Sequence, residues 1–438
     1  LRNIRLEESA VSIRRYAVLT KEQNDLITLT GPGTPCGDLM RRYWQPVALA
    51  REIPPGSAPK PVRLLGEDLV LFRADDGTPG LMGLHCPHRG ADLSYGRVED
   101  GGLRCVYHGW LMATDGPCLE MPGEPAGSTF SNRLRHTAYP CREAGGLILT
   151  YMGPGEPPVV PQLDFLASAP EQTWCTKLLQ ECNYLQGSEG NVDPQHLSYL
   201  HRFVNPDKLR ESHNLVLRDP APQIDVDETP WGLRLYAIRS ISDDELYVRV
   251  TNFIMPNNSA FSAGPPLDPK VHPLPRSSYY KMHWHVPIDD THHWKYEIAF
   301  RRDGPVDPVW LASQYENAED PESAPLTRRL DNRYLQDRKE QATSTFTGIG
   351  RNFNDHDRMA TESQGPIFDR TTERLAATDK GVIAMRKLLL KAVEDVQAGR
   401  DPLFVQRSAA ENPAAELVVL EERLPKSAPV REFWRVHA

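Results

Sequence analysis

Between Val47 and Tyr151 the apolar residues come in short runs, PVRLLG, DLVLFRA, GLMGLHC, LRCVYHGW and GGLILTYM, punctuated by Gly, Pro and Asp. Short alternating runs with turn residues between them predict a small antiparallel β domain. The Pro-rich stretch PGEPPVVPQL at 154–163 breaks the pattern and marks a connector. Beyond it the runs lengthen. GLRLYAIRSI, LYVRVTNFIM, SSYYKMHWHVPI and HHWKYEIAFRR read as long strands. Thr20 and Gln23 form a capping-box pattern for a short helix ending near Gly31, and PCGDLMRRYW predicts a further helical turn or two. Helices are expected over EGNVDPQHLSYLH, over roughly 325–341 and over 377–398, the last with Thr378 as N-cap and Gly399 as stop. Strands flanked by helices give an α+β chain in three parts: an N-terminal extension with short helices (1–45), a β domain (46–160) and a larger α+β domain (161–438).

Composition narrows the function classes. The 438 residues carry a formal net charge of −9 with no basic run, which argues against a nucleic-acid partner. No apolar stretch approaches the ~18 residues of a membrane span. The first residues, LRNIRLEESAVSIRRYAVL, are Arg-rich without an apolar centre and do not read as a signal peptide. Seven cysteines is an odd and low count, so a disulfide framework is not expected and a reducing cytoplasm is.

Chemistry enters with CPHRGADLSYGRVEDGGLRCVYHGW, which pairs Cys86 with His88 and Cys105 with His108. Two thiolates and two imidazoles suit either zinc or an iron–sulfur cluster. Zinc knots usually pair like with like, whereas here each loop supplies one Cys and one His. That suits a cluster in which one iron takes two thiolates and the other two imidazoles. CPHRG and CVYHGW resemble the two ligand loops of a Rieske two-iron two-sulfur domain. Cys36, Cys118, Cys141, Cys175 and Cys182 lack such spacing and are expected to be small buried residues.

Downstream, NVDPQHLSYLH offers Asp193, His196 and His201. On a regular helix residues 196 and 201 are offset by about 140°, so both reach one ion only if the helix is distorted or the ion sits between rotamers. Together with the upstream loops, D-x-x-H-x-x-x-x-H resembles the mononuclear iron motif of Rieske non-haem iron oxygenases. The resemblance implies that His196 and His201 are two arms of a facial triad with a late carboxylate as the third. Asp357 and Asp355, in NFNDHDRMATESQGP, are the candidates, and D-x-x-x-x-E from Asp357 to Glu362 resembles the family's segment carrying that ligand, which favours Asp357. It further implies that Asp193 lies between metal centres, touching His196 of its own chain and His108 of a neighbouring copy. A homotrimer or hexamer follows. Glu189 is a weaker supporting candidate. NRYLQDRKEQATSTFTGI, ESQGPIFDRTTE and DKGVIAMRKLL resemble the phthalate dioxygenase subgroup, which implies a helix-grip catalytic domain and an oxygenase acting on an aromatic substrate with molecular oxygen. No G-x-G-x-x-G follows a strand, so electrons from NAD(P)H are expected through a separate flavin/iron–sulfur reductase. An aromatic carboxylate would want an Arg fork, for which Arg239 and Arg202 are the candidates. The competing reading is a Rieske electron-transfer or redox protein whose second metal site is not catalytic.

Overall fold

The structure is a computed structural model that describes residues 18–204, 211–262, 279–308, 311, 326–412, 414–415 and 417–433. Its N-terminal half holds three small antiparallel sheets. One joins Gln45–Leu49, Leu147–Thr150 and Cys141–Ala144; a second joins Lys60–Leu64, Glu67–Arg73, Pro79–Gly83 and Ala138–Tyr139; a third joins Arg97–Glu99, Gly102–Arg104, Leu111–Ala113 and Cys118–Glu120. The second and third share a core of Val70, Phe72, Met82, Leu93, Leu103 and Met112.

The C-terminal half is built on one eight-stranded antiparallel sheet. Its strands are β1 (Thr173–Gln180), β2 (Gln223–Thr229), β3 (Gly232–Ser240), β4 (Glu245–Ile254), β5 (Asn258–Ser262), β6 (Tyr279–Pro287), β7 (His293–Arg301) and β8 (Leu420–Pro425). The order is β1-β7-β6-β5-β4-β3-β2, with β8 paired to β4. Five helices matter for the site: α1 (Lys21–Thr28), α2 (Pro35–Arg41), α3 (Tyr184–Asn191), α4 (Phe353–Glu362) and α5 (Lys380–Gln397). Helix α5 buries Val382, Met385, Leu389, Ala392, Val393 and Val396, a stripe at helical spacing, and packs on α1, α2 and β2. This arrangement, a β domain with antiparallel sheets beside a mixed α/β domain, agrees with the expected α+β class.

Local expectations fared unequally. The long strands fall where the alternation places them, and Thr20 and Gln23 do form a capping box on α1. The N-cap of α5 is Asp379 rather than Thr378, because residues 377–379 form a 3₁₀ turn first. The stretch 326–341 is mostly turns with a 3₁₀ segment, Arg333–Leu335, and α-helix only over Arg338–Thr343.

The largest difference concerns EGNVDPQHLSYLH. Helix α3 ends at Asn191, and residues 193–201 run through turns with a single 3₁₀ segment, His196–Ser198. The reason is Pro194, whose ring disfavours the helical conformation at Asp193 and removes an N–H from the ladder. The 140° offset of a regular helix therefore never arises.

Candidate metal centres

The two Cys/His loops are twins. In the first, the Cys86 N–H donates to Ala91 O (2.8 Å) and the Gly90 N–H to Cys86 O (2.8 Å). In the second, the Cys105 N–H donates to Trp110 O (2.8 Å) and the Gly109 N–H to Cys105 O (3.0 Å). Gly90 and Gly109 sit at φ 74° and 76°, the left-handed region that disfavours a side chain with a Cβ. Cys86 and Cys105 are each 3% exposed, and burial pushes the Cys86 thiol up to about 11. The His88 and His108 rings lie 4.4 Å apart, and His88 stacks on Trp110 at 4.4 Å and 11°. His88 Nδ1 is buried with no hydrogen-bond partner among the described residues. An orphaned ring nitrogen beside a second imidazole and two buried thiols is a donor set that fits a two-iron cluster.

The second centre gathers residues from far apart in the chain. His196, His201 and Asp357 place one ligand atom each within 4.8 Å of one another. Pro194 turns the chain after α3, and His196 Nδ1 meets the Asp193 carbonyl, so its Nε2 is left to point elsewhere. His201, 3% exposed, stacks on Phe353 at 4.4 Å and 16°. Its Nδ1 lies 3.3 Å from His356 Nδ1. His356 donates from Nε2 to Gly350 O at 2.9 Å, and burial lowers its pKa to about 4, so it is neutral and its Nδ1 is an acceptor. His201 must then carry its proton on Nδ1, which turns the Nε2 lone pair toward Asp357 Oδ1, 3.1 Å away. Two acceptors facing each other at that distance call for a shared cation. With no metal bound that cation is a proton on Nε2: burial raises the pKa of Asp357, but the imidazolium of His201, then Lys295 and His196, hold it well below the usual carboxylate range. The set fits a divalent metal held by two imidazoles and one carboxylate.

Asp355, the other candidate ligand, points away. It lies 3.8 Å from Arg328 and 3.7 Å from Arg358, two positions round the helix from Asp357. Glu362 is buried against Arg358 at 3.1 Å and Tyr334, anchoring the end of α4. Glu189 is held by Arg370 (2.8 Å) and Arg386 (2.6 Å). Asp193 is partly exposed, and its Oδ1 accepts from the Gln195 N–H at 2.9 Å.

The expectation for Arg239 needs correction. Arg239 is fully buried and does not line the cavity beside the metal ligands. It donates to Pro194 O (2.8 Å) and Asp219 O (3.2 Å), fixing the turn that carries His196 to β3. Arg202 is exposed and also lies off the cavity. The cavity itself, about 240 Å³, is lined by His196 and Asp357 together with Asp193, Gln180, His285 and Lys295. Along it runs a chain in which half-buried Asn191, at the end of α3, joins buried histidines of β6 and β7: His283 to Asn191 (3.1 Å), Asn191 to His285 (2.8 Å), and His285 to His293 (2.9 Å). Sequence reasoning did not single out His356, Lys295 or this chain; the run NDHD placed His356 next to a chosen ligand, and HWH in a strand was the signal for the rest.

Family models match both halves: residues 43–137 match the Rieske [2Fe-2S] domain, and residues 150–437 the model described as LigXa C-terminal domain like. The chain is 36% identical over 405 residues to the phthalate 4,5-dioxygenase oxygenase subunit of Pseudomonas putida, covering 88% of this chain and 89% of the relative. The chain belongs to the Rieske oxygenases. It is also 35% identical over 400 residues to the 3-chlorobenzoate-3,4-dioxygenase oxygenase subunit of Comamonas testosteroni, covering 87% and 90%. A third relative is the 5,5'-dehydrodivanillate O-demethylase oxygenase subunit of a Sphingobium species, 32% identical over 408 residues and covering 91% and 86%. In fold, this Rieske oxygenase is similar to the terminal oxygenase of carbazole 1,9a-dioxygenase from Novosphingobium sp. KA1, with a TM-score of 0.58, 20% identity, and coverage of 87% of this chain and 98% of that one. Its cofactors are accordingly a Rieske two-iron two-sulfur cluster and a mononuclear iron. Among the described residues, no helix is long and apolar enough to cross a membrane.

Proposed function

We propose that this Rieske oxygenase is the terminal component of a system that hydroxylates an aromatic acid, with Cys86, His88, Cys105 and His108 holding the cluster and His196, His201 and Asp357 holding the iron. The reading divides the chain near residue 160 into an electron-storing and an oxygenating domain. The observation that carries it is the convergence of two imidazole nitrogens and one carboxylate, with His196 and Asp357 of that set on the wall of a cavity. Three protein ligands leave positions open for oxygen beside substrate. When bound, the cluster and the iron supply single electrons and oxygen activation. This chain's own residues do the rest. His356 fixes the tautomer of His201, Phe353 holds its ring, and the Asp193 carbonyl fixes His196.

The substrate class is carried over from relatives named for phthalate, 3-chlorobenzoate and phenoxybenzoate. The electron donor is a separate protein. Ferredoxin sits in solved complexes of carbazole 1,9a-dioxygenase, and for this chain the upstream source in our reading is a flavin/iron–sulfur reductase using NAD(P)H. The working form is a homotrimer or a multiple of it, in which Asp193 of one copy meets His108 of the next. Two exposed apolar tips support that pairing: Tyr95, Val106 and Tyr107 around the cluster loops, and Tyr199, Val204 and Phe346 beside the iron motif.

The test is oxygen uptake and product analysis with NADH, a reductase and a panel of benzoates, phthalates and methoxybenzoates. Hydroxylated or O-demethylated product from an aromatic acid is expected. Consumption of NADH without oxygenated product from any of them would leave the electron-transfer reading in its place. For the pairing, oligomers mixed from Asp193→Asn and His108→Ala chains should recover part of the activity that each variant alone lacks.

A further inference from the structure

We propose that Lys295, with Gln180 beside it, is the anion-recognising subsite of the oxygenase cavity and takes the carboxylate of an aromatic acid. This rests on the aromatic-acid reading above and assigns to it residues of this chain.

Lys295 is 1% exposed and lies on β7, between edge strand β1 and β6 of the large sheet. A buried ammonium is tolerated only when its charge and its donors are met. Glu297 Oε1 lies 3.1 Å from Nζ as an ion pair, and Nζ donates a hydrogen bond to Asn354 Oδ1. An ammonium has three N–H groups. Among the described residues nothing takes the third, and the side chain lines the cavity that also holds Asp357.

Register brings a second group to the same place. Lys295 pairs with Leu178 on β1 and His285 on β6, while Gln180 pairs with His293. Gln180 and Lys295 are therefore diagonal neighbours on one sheet face, close enough to grip one small group. Gln180 is 1% exposed and lines the cavity, and its Oε1 is buried without a partner. A carboxylate cannot pair with that oxygen, since both only accept, so the amide meets it through its NH₂. Rotation about its last torsion presents either the oxygen or the NH₂ to the cavity.

The other cation on the cavity wall is already used. Arg386 lies 2.6 Å from Glu189 and is also paired with Glu373. Leu200, Phe368, Leu375 and Val382 line the cavity as well and offer apolar surface for a ring.

The experiment is anaerobic calorimetric titration of the iron-loaded oxygenase with benzoate, phthalate and the neutral isostere benzamide. The wild type is expected to bind at least one of the two acids at least tenfold more tightly than benzamide. Lys295→Met should weaken binding of that acid by at least tenfold and leave benzamide within about twofold. Gln180→Leu should weaken it less. Because removing Lys295 strands Glu297, the Lys295→Met/Glu297→Gln double variant is measured alongside, and it should show the same loss of selectivity. Equal losses for acid and amide, or loss of iron with unaltered selectivity, would assign Lys295 to holding Asn354 and α4 instead and overturn the proposal. If the wild type oxygenates an aromatic acid while Lys295→Met keeps the preference for the charged ligand, this assignment alone falls. If the wild type neither binds nor oxygenates any acid in the panel, the aromatic-acid reading falls with it.

Discussion

The two metal centres of this chain are built by opposite strategies. Each Cys/His loop closes on itself, with the same pair of backbone hydrogen bonds and the same left-handed glycine, so its ligands are fixed by six consecutive residues. The iron centre has no such local frame. His201 and Asp357 are brought to 3.1 Å across more than 150 residues, and each ligand is steered by a different neighbour: Phe353 and His356 for His201, the Asp193 carbonyl for His196, the frame of α4 for Asp357. A local centre is robust to what happens elsewhere but fails wholly when one ligand goes. A distributed centre can be weakened from many places, by degrees. Mutation should show that difference.

The largest effect belongs to the local loops. Cys105→Ser should abolish the red-brown absorption and the acid-labile sulfide, because the cluster cannot be held on one loop alone. The mononuclear iron, whose ligands come from the other half of the chain, should remain, as metal analysis would show. Loss of both metals together would mean that the centres do not form independently.

Next come the iron ligands. His201→Ala or Asp357→Ala should remove the mononuclear iron and lower product formation by at least about 10³-fold, while the visible spectrum of the cluster stays unchanged. Asp355→Ala should keep iron and turnover. It should cost only about 1 kcal/mol of stability, measured by denaturant unfolding, through its contacts with Arg328 and Arg358. Iron loss in Asp355→Ala with retention in Asp357→Ala would reverse the ligand assignment.

This contrast also explains what could be read from the sequence. Cys86, His88, Cys105 and His108 were legible because spacing alone expresses a local frame. The long strands were legible because alternation reports one buried face. His196, His201 and Asp357 needed a family resemblance, since nothing in their spacing brings position 357 to position 201. The helix expected over 189–201 failed although its signal was present, in Pro194. Arg239 was mistaken for a substrate anchor because a sequence shows that an arginine lies on a strand but not which carbonyls surround it. His356 and Lys295 were missed because they act through side chains that fold from distant segments.

A smaller effect probes the steering of the distributed centre. Arg239→Gln should leave Pro194 O and Asp219 O without their donor, costing about 2 kcal/mol of stability. Since the turn it holds carries His196, kcat and iron occupancy should fall while KM for the aromatic acid stays within about twofold. A selective rise in KM would return Arg239 to the substrate-binding role first expected of it.

The smallest effect is a slope. His293 is fully buried, and burial lowers its pKa to about 3, although its contact with Cys182 O favours the proton. An unfolded histidine titrates near ~6.5. Between those values the unfolded chain binds a proton that the folded chain refuses, so stability must fall as the pH drops from about 6.5 toward 3. By pH 5 this one residue costs about 2 kcal/mol relative to neutral pH. Glutamine can keep both contacts of His293, donating to Cys182 O from its NH₂ and accepting from His285 with its oxygen. It does not titrate. His293→Gln should therefore be slightly less stable than the wild type at pH 7.5, and the gap should close or reverse by pH 5, as paired melting curves would show. Parallel curves would mean that the polar wall behind the iron already carries a proton at His293. The distributed centre would then rest on a charged rather than a neutral wall.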